Sequence, residues 1–159
     1  MPQLSVIVPT FNELGNVVEL RNRVAEALTG IDWEMIFVDD NSPDGTGALA
    51  DSWAQRQPGR VVVVHRPAKL GLGTAYIAGF RWALGRDYDF IFEMDADFSH
   101  NPDDLLRLHG ACAEGGADMS VGSRYVEGGG VSDWAWSRVM LSWCASLYVR
   151  LVLWINVRD

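Results

Sequence analysis

Two aspartates one residue apart, Asp95 and Asp97, follow the apolar run Phe90-Ile91-Phe92, in the segment Met94-Asp95-Ala96-Asp97-Phe98-Ser99-His100. On an extended backbone residues i and i+2 leave the same face, so the two carboxylates are neighbours. Carboxylates that close repel each other, and one takes up a proton unless a cation lies between them. A hard divalent ion such as Mg2+ or Mn2+ resolves the conflict, because it prefers oxygen ligands and commonly uses one or two carboxylates with water and phosphate in the remaining positions. An isolated Asp-x-Asp can equally be a solvated acidic turn that caps the next helix. Its place directly after a strand of buried character favours the cation.

Two further segments stand after apolar runs in the same way, Pro9-Thr10-Phe11-Asn12-Glu13 and Asp39-Asp40-Asn41-Ser42. Asn41-Ser42-Pro43-Asp44-Gly45 is turn chemistry throughout, and the strand-end position makes Asp39 or Asp40 an acceptor for a base or ribose. His65, His100 and His109 have no nucleophile motif beside them and are read as packing or hydrogen-bonding residues.

These segments need a scaffold that brings strand ends together. Strand-length apolar runs recur at Leu4 to Val8, Met35 to Val38, Val61 to Val64, Phe90 to Met94 and Met119 to Val121. Their Val/Ile-rich character with little alternation fits strands covered on both faces, as in a parallel sheet. Between them, Val17, Leu20, Val24 and Leu28 fall on one helical face, as do Leu49 and Trp53. Thr74 to Leu84 forms the third crossover, and Asn101-Pro102-Asp103-Asp104 opens a helix that Gly115-Gly116 ends. The order βαβαβαβαβ predicts an open α/β sheet with right-handed crossovers and ligands at the carboxyl ends of its strands.

The bulk composition narrows the function. A chain of 159 residues, 48% hydrophobic and 21% charged, can bury a core and fold as one domain over 1–159. Its formal charge of −8 disfavours nucleic acid as a partner. Lys69 is the only lysine, so local anion contacts fall mainly to arginine. Cys112 and Cys144 have neither metal nor redox spacing and are read as small buried helix residues of a reducing compartment. The N-terminus lacks the basic start and long apolar core of a secretory signal. Gly71-Leu72-Gly73-Thr74-Ala75-Tyr76 begins like a dinucleotide fingerprint, but Tyr76 takes the place of its last glycine, and no GxxxxGK[ST] loop is present. From Val139 to Val157, Arg150 interrupts an apolar stretch, which argues for an interfacial or buried helix rather than a membrane span. Trp136, Trp143, Tyr148 and Trp154 suit a water–lipid boundary.

Taken together, Val6-Ile7-Val8-Pro9-Thr10-Phe11-Asn12-Glu13, Val38-Asp39-Asp40-Asn41-Ser42-Pro43-Asp44-Gly45-Thr46, Gly71-Leu72-Gly73, Glu93-Met94-Asp95-Ala96-Asp97 and Gly122-Ser123-Arg124-Tyr125 resemble the family-2 glycosyltransferases of GT-A fold. Within these the likeness is greatest to the polyprenol-phosphate mannose synthases, and it runs from about Leu4 to the end of the chain. The resemblance implies a GDP-mannose donor, with Pro9, Phe11, Glu13, Val38 and Asp40 around the guanosine and Ala96 touching the nucleotide through its backbone. It implies Mg2+ or Mn2+ on Asp95 and Asp97, with Ser99 as an outer ligand. Relatives often carry tyrosine where Phe11 stands, so ring stacking is kept and a hydroxyl contact is lost.

The same resemblance implies a polyprenyl monophosphate acceptor held by Arg124, Arg138 and Ser142, with catalysis assigned to Asp95, Asp97 and Arg124. Arg138 and Ser142 are i and i+4 on a helix and share a face. It further implies peripheral membrane contact at the cytoplasmic face, with room for a separate membrane-spanning partner domain. The family pattern continues with Asp-x-Thr-Gly-Gly-Phe-Arg, and the chain stops at Val157-Arg158-Asp159 at the threshold of that motif, so it reads as truncated before the acceptor-side segment. Two alternatives accompany this reading: a related transferase of glucose or another sugar to a polyprenyl phosphate, and a truncated sugar-nucleotide-binding module without turnover.

Overall fold

The structure is a computed structural model that describes residues 3–123 and 135–154. Backbone contacts divide the chain into two compact units, Met1–Arg107 and Leu108–Asp159.

The first unit is built on four strands, β1 (Leu4–Thr10), β2 (Trp33–Asp39), β3 (Val61–His65) and β4 (Phe90–Glu93). All pair in parallel in the order β3-β2-β1-β4. Three helices make the crossovers: α1 (Val17–Ala27), α2 (Thr46–Arg56) and α3 (Leu72–Ala83). β1 and β2 are buried along their whole length, which is why their sequences are apolar without a solvated face.

Alternation along each strand sorts the core into two layers. Leu4, Val6 and Val8 of β1 with Met35 and Phe37 of β2 pack against Val17, Leu20 and Val24 of α1 and Ala50 of α2. Ile7, Ile36 and Val38 point the other way, to Ala75 and Ala83 of α3. The sheet therefore carries helices on both faces, as the apolar runs predict. α3 lies close because of Gly79, where an added Cβ would stand 2.4 Å from Ile7 Cγ2. It also starts two residues earlier than its periodicity suggests, because Gly71 with φ +102° turns the chain into it.

The strand order has one reversal. Chain order runs β1 to β2 to β3 in one direction, and β4 then returns to the free side of β1. Ligands of open parallel sheets bind outside the carboxyl ends of the strands at such a reversal. The segments after β1 and β4, which hold Phe11, Glu13, Asp95 and Asp97, meet there.

A 3-10 turn at Pro102–Asp104, capped by the Asn101 side chain, leads into α4 (Leu105–Ala113). The second unit holds the end of that helix and α5 (Trp136–Leu153). The expected fifth strand over Met119 to Val121 is absent: these residues lie in no regular element. Met119 and Val121 are exposed, and a three-residue apolar run is too short to hold an extended conformation by itself. Ser120 instead donates its hydroxyl to the Leu108 carbonyl at 2.9 Å.

Candidate functional site

A cleft of about 260 Å3 opens at the carboxyl edge of the sheet, lined by the end of β1 and by the segments that follow all four strands. From the end of β1 come Pro9, Thr10, Phe11 and Glu13, and from the end of β2 comes Asp40. The segment after β4 supplies Asp95, Ala96 and Asp97, and the β3–α3 connection with the start of α3 supplies Lys69, Leu72 and Ala75.

Hydrogen bonds between the first two loops hold this edge. The Asn12 amide donates to Ser42 Oγ at 3.1 Å, the Glu13 amide to Thr46 Oγ1 at 3.0 Å and the Leu14 amide to Asp44 Oδ2 at 3.0 Å. Asn12 and Asn41 both adopt positive φ, a conformation that asparagine tolerates better than most residues. Asp39 is buried beneath these loops and accepts from the Ser42 amide and hydroxyl and from Thr10 Oγ1. Of the two adjacent aspartates at the end of β2, it is therefore the one that holds the turn, and Asp40 is the one that faces the cleft.

Asp44 accepts from the Thr46 amide and hydroxyl as well as from Leu14. Burial opposes ionisation, but these bonds outweigh it and hold the Asp44 carboxyl below its ordinary range. A carboxyl that is more acidic folded than unfolded stabilises above its unfolded value of about 4, and that contribution disappears as pH falls through the folded value. Asp44 is exposed, so solvent screens these bonds, and Asp44→Ala is expected to lower stability by only about 0.5 kcal/mol at pH 7. The difference in urea midpoint from the parent chain should shrink as the pH of the measurement is lowered below the unfolded value of about 4.

The paired aspartates are held from behind. Tyr76 in α3 donates its hydroxyl to Asp95 Oδ1 at 2.6 Å. Burial and the adjacent Asp95 carboxylate push the Tyr76 hydroxyl far up, so it remains a donor. The Asp95 amide donates to His100 Nδ1 at 3.1 Å. Ser99 donates its hydroxyl and its amide to Asp97 Oδ1, and these bonds hold the Asp97 carboxyl below the usual carboxylate range. Farther along, Arg23 of α1 grips the segment after Asp97 through Asn101 Oδ1 at 2.8 Å and Asp103 Oδ2 at 2.9 Å. Both Asp95 and Asp97 thus have Oδ1 engaged and Oδ2 without a hydrogen bond or ion pair among the described residues.

Among the described residues no three His, Cys, Asp or Glu side chains converge as a closed metal cage. Two carboxylates with two uncommitted oxygens in an open cleft have the chemistry to hold an ion shared with a phosphate-bearing ligand.

Most of the residues expected at the nucleotide and metal do line this cleft: Pro9, Phe11, Glu13, Asp40, Asp95, Ala96 and Asp97. Val38 does not. Its side chain is fully buried between β2 and α3, because it lies on the strand face opposite to Phe37, and it has no surface to offer a ligand. Ser99 is not in the lining either, and its hydroxyl is directed to Asp97. Arg138 and Ser142 lie one turn apart on α5 in the second unit, and Arg124 lies outside the described residues.

Sequence reasoning missed the fourth strand end. Arg66, after β3, is buried with Nη1 2.9 Å from Asp40 Oδ1, close enough for an ion pair but off the direction of a good hydrogen bond; its Nη2 donates to Thr74 Oγ1 at 2.6 Å. Lys69 Nζ sits 4.5 Å from the centroid of the Phe11 ring. The strand-end rule that singled out the other three loops points to these residues as well. They stand in a loop with no carboxylates, and that chemistry drew less notice.

Similarity to known proteins agrees with this arrangement. The polyprenol monophosphomannose synthase of Mycolicibacterium smegmatis is 49% identical over 154 residues, which is 97% of this chain and 57% of that protein. Among solved structures, the mannosyltransferase PcManGT from Pyrobaculum calidifontis in complex with GDP-Man and Mn2+ matches 66% of this chain and 30% of its own at a TM-score of 0.51 and 25% identity. S. aureus TarS 1-349 in complex with UDP shares the fold over 82% of this chain and 38% of its own, at a TM-score of 0.61 and 24% identity. The family model for glycosyl transferase family 2 matches residues 5–156. The chain, with its parallel sheet and its acidic cleft at the strand ends, belongs to glycosyl transferase family 2.

Proposed function

We propose that the chain is the donor-binding part of a transferase that moves mannose from GDP-mannose to a polyprenyl monophosphate, with Mg2+ or Mn2+ and with inversion at the anomeric carbon. The observation that carries this is the placement of Asp95 and Asp97 in one cleft with Phe11, Glu13 and Asp40, each aspartate keeping one carboxylate oxygen uncommitted. The name of the mycobacterial relative supports the acceptor, and the ligands of the Pyrobaculum enzyme support the donor and metal. We place both units in one transferase domain over 1–159.

In this reading Phe11 stacks on the base, Asp40 accepts a hydrogen bond from the nucleoside, Glu13 and Pro9 flank it, and the Ala96 backbone meets the nucleotide. Asp95 and Asp97 hold the metal, which when bound offsets the charge that builds on departing GDP. Arg124, Arg138 and Ser142 orient the acceptor phosphate for attack from the side opposite the leaving group. One phosphate oxygen bonds to the anomeric carbon as the bond from that carbon to GDP breaks. A phosphate monoester with a second pKa near ~6 is largely ionised at neutral pH, so its attack needs no protein base.

Membrane contact belongs to the same proposal. α5 exposes Trp136, Leu141, Trp143, Tyr148 and Leu151, and Trp154 follows it, 92% exposed. No helix among the described residues is long and apolar enough to cross a membrane. Aromatic side chains on a helix of this kind suit the headgroup region, here at the cytoplasmic face where a polyprenyl phosphate would be met. A partner domain that spans the membrane is compatible with this arrangement.

Calorimetric titration with GDP-mannose and UDP-glucose, each with Mn2+ and after chelation, followed by a transfer assay on a short polyprenyl phosphate, tests the proposal. GDP-mannose binding that is much tighter with Mn2+ than in chelator, together with mannose transfer, is the expected result. Tighter binding of UDP-glucose would replace the donor, and donor binding without transfer would leave a binding module. The support behind the aspartates makes a narrower prediction. Tyr76→Phe removes only the hydroxyl that orients Asp95 and should weaken Mn2+ binding to the GDP complex by about tenfold, with chelated GDP binding unchanged in the same titrations.

A further inference from the structure

The cleft is lined by four carboxylates, those of Glu13, Asp40, Asp95 and Asp97, and among its described lining residues by one cation, Lys69. The other cation of the β3–α3 loop is already committed, since Arg66 is buried against Asp40 and Thr74. Lys69 is different: it is exposed, it makes no ion pair among the described residues, and its ammonium lies over Phe11, the only aromatic ring among the described lining residues. A contact of this type at an exposed site is worth about 0.5–1 kcal/mol, weak enough for an incoming ligand to displace. Lysine is also a compact charge on a flexible four-carbon stem, able to move several ångströms without disturbing the backbone.

A ligand bearing both an aromatic base and phosphates would change both sides of this contact. The base competes with the ammonium for the Phe11 ring, and the phosphates offer the ammonium a stronger partner. Without a cation of the protein's own, those phosphates would face only carboxylates until a metal arrived. We propose that Lys69 is a diphosphate contact of the donor, resting on Phe11 in the empty cleft and released to the phosphates when the base takes the ring. This rests on the reading of the cleft as a nucleoside-diphosphate-sugar site, and it adds a cationic contact that does not depend on the metal. It also couples the two halves of the ligand: the base vacates Lys69, and Lys69 then rewards the phosphates.

The test uses the 159-residue chain with Lys69→Met, which keeps an unbranched side chain of nearly the same length and removes its charge, and Lys69→Arg, which keeps the charge. Guanosine, GMP, GDP and the corresponding uridine series are titrated calorimetrically in chelator and again with Mn2+. In chelator, Lys69→Met is expected to weaken the nucleoside diphosphate by about tenfold or more, the loss of one charge-assisted contact. The same variant should leave the nucleoside unchanged or bind it about two- to fivefold tighter, because the ring is freed. Lys69→Arg should recover most of the diphosphate affinity, and the thermal midpoints of all three chains should agree because the side chain is exposed.

Equal weakening of nucleoside and diphosphate would make Lys69 a structural or stacking residue and overturn the proposal. So would diphosphate binding that is unaffected by Lys69→Met. Failure of the unsubstituted chain to bind either diphosphate would overturn the donor reading itself and this proposal with it, whereas normal binding by the parent and an indifferent variant would remove the Lys69 assignment alone.

Discussion

Asp97→Ala is expected to abolish metal-dependent binding of GDP-mannose, with a loss of about 100-fold or more in the calorimetric titration with Mn2+. Asp97 is exposed at the cleft, and its Oδ1 is fixed by Ser99 while Oδ2 is uncommitted. Its carboxyl is held below the usual range by those bonds, so it is ionised at neutral pH and available as a ligand. Removing it leaves Asp95 as the single carboxylate of a site that has no third acidic or histidine partner among the described residues. Hard divalent ions bound to a protein through so few groups depend on each one. The fold should survive, because the lost side chain is exposed and its partner Ser99 is exposed as well. Chelated guanosine binding should therefore match that of the parent chain. Mn2+ affinity unchanged by the substitution would remove Asp97 from the metal site.

Gly79→Leu is expected to be the most damaging single change in the first unit. A Cβ at this position would stand 2.4 Å from Ile7 Cγ2 and 3.2 Å from Val38 Cγ2, both on the central strands. Those strands are fully buried and paired on both sides of β1, so the sheet cannot yield, and α3 must lift instead. Overpacking of this kind costs on the order of 3 kcal/mol, which corresponds to a fall in thermal midpoint of about 6–12 °C for a chain of this size. The consequence extends to the cleft, because α3 carries Ala75 in its lining and Tyr76 behind Asp95. Thermal unfolding followed by circular dichroism checks the first effect. Metal binding measured well below the midpoint checks the second, and it should be weaker than in the parent even where the variant is folded.

Much of the fold was legible because its cause is local. The apolar runs at β1 and β2 lack a polar face, and a parallel sheet covered on both sides is the economical explanation of that pattern. Helix periodicity placed Val17, Leu20 and Val24 on the face that packs on the sheet. The run at Met119 to Val121 carried the same apolar signature without becoming a strand, because three residues need a neighbouring ladder to stay extended, and no local pattern reports whether one is present. Val38 shows a similar limit from the other side. It precedes Asp39 at a strand end, but strand alternation turns it toward α3 and into the core.

The candidate site divides in the same way. Asp95 and Asp97 were legible as a pair because two carboxylates at i and i+2 pose an electrostatic problem that is visible without coordinates. The order of elements, the parallel α/β class, the chemical inventory at three strand ends and the resemblance to a transferase family are all local patterns of residues. That β4 lies beside β1, which sets Asp95 and Asp97 next to Phe11 and Glu13 rather than at a distant edge, is a property of the packed sheet. Tertiary packing also decides that Arg66 neutralises Asp40, that Tyr76 orients Asp95 and that Lys69 rests on Phe11. Each of those contacts joins residues from different crossovers. Local periodicity sets which way a side chain points from its own strand or helix, but which strands become neighbours depends on the packing of the whole sheet, and the partners of a charge follow from that choice.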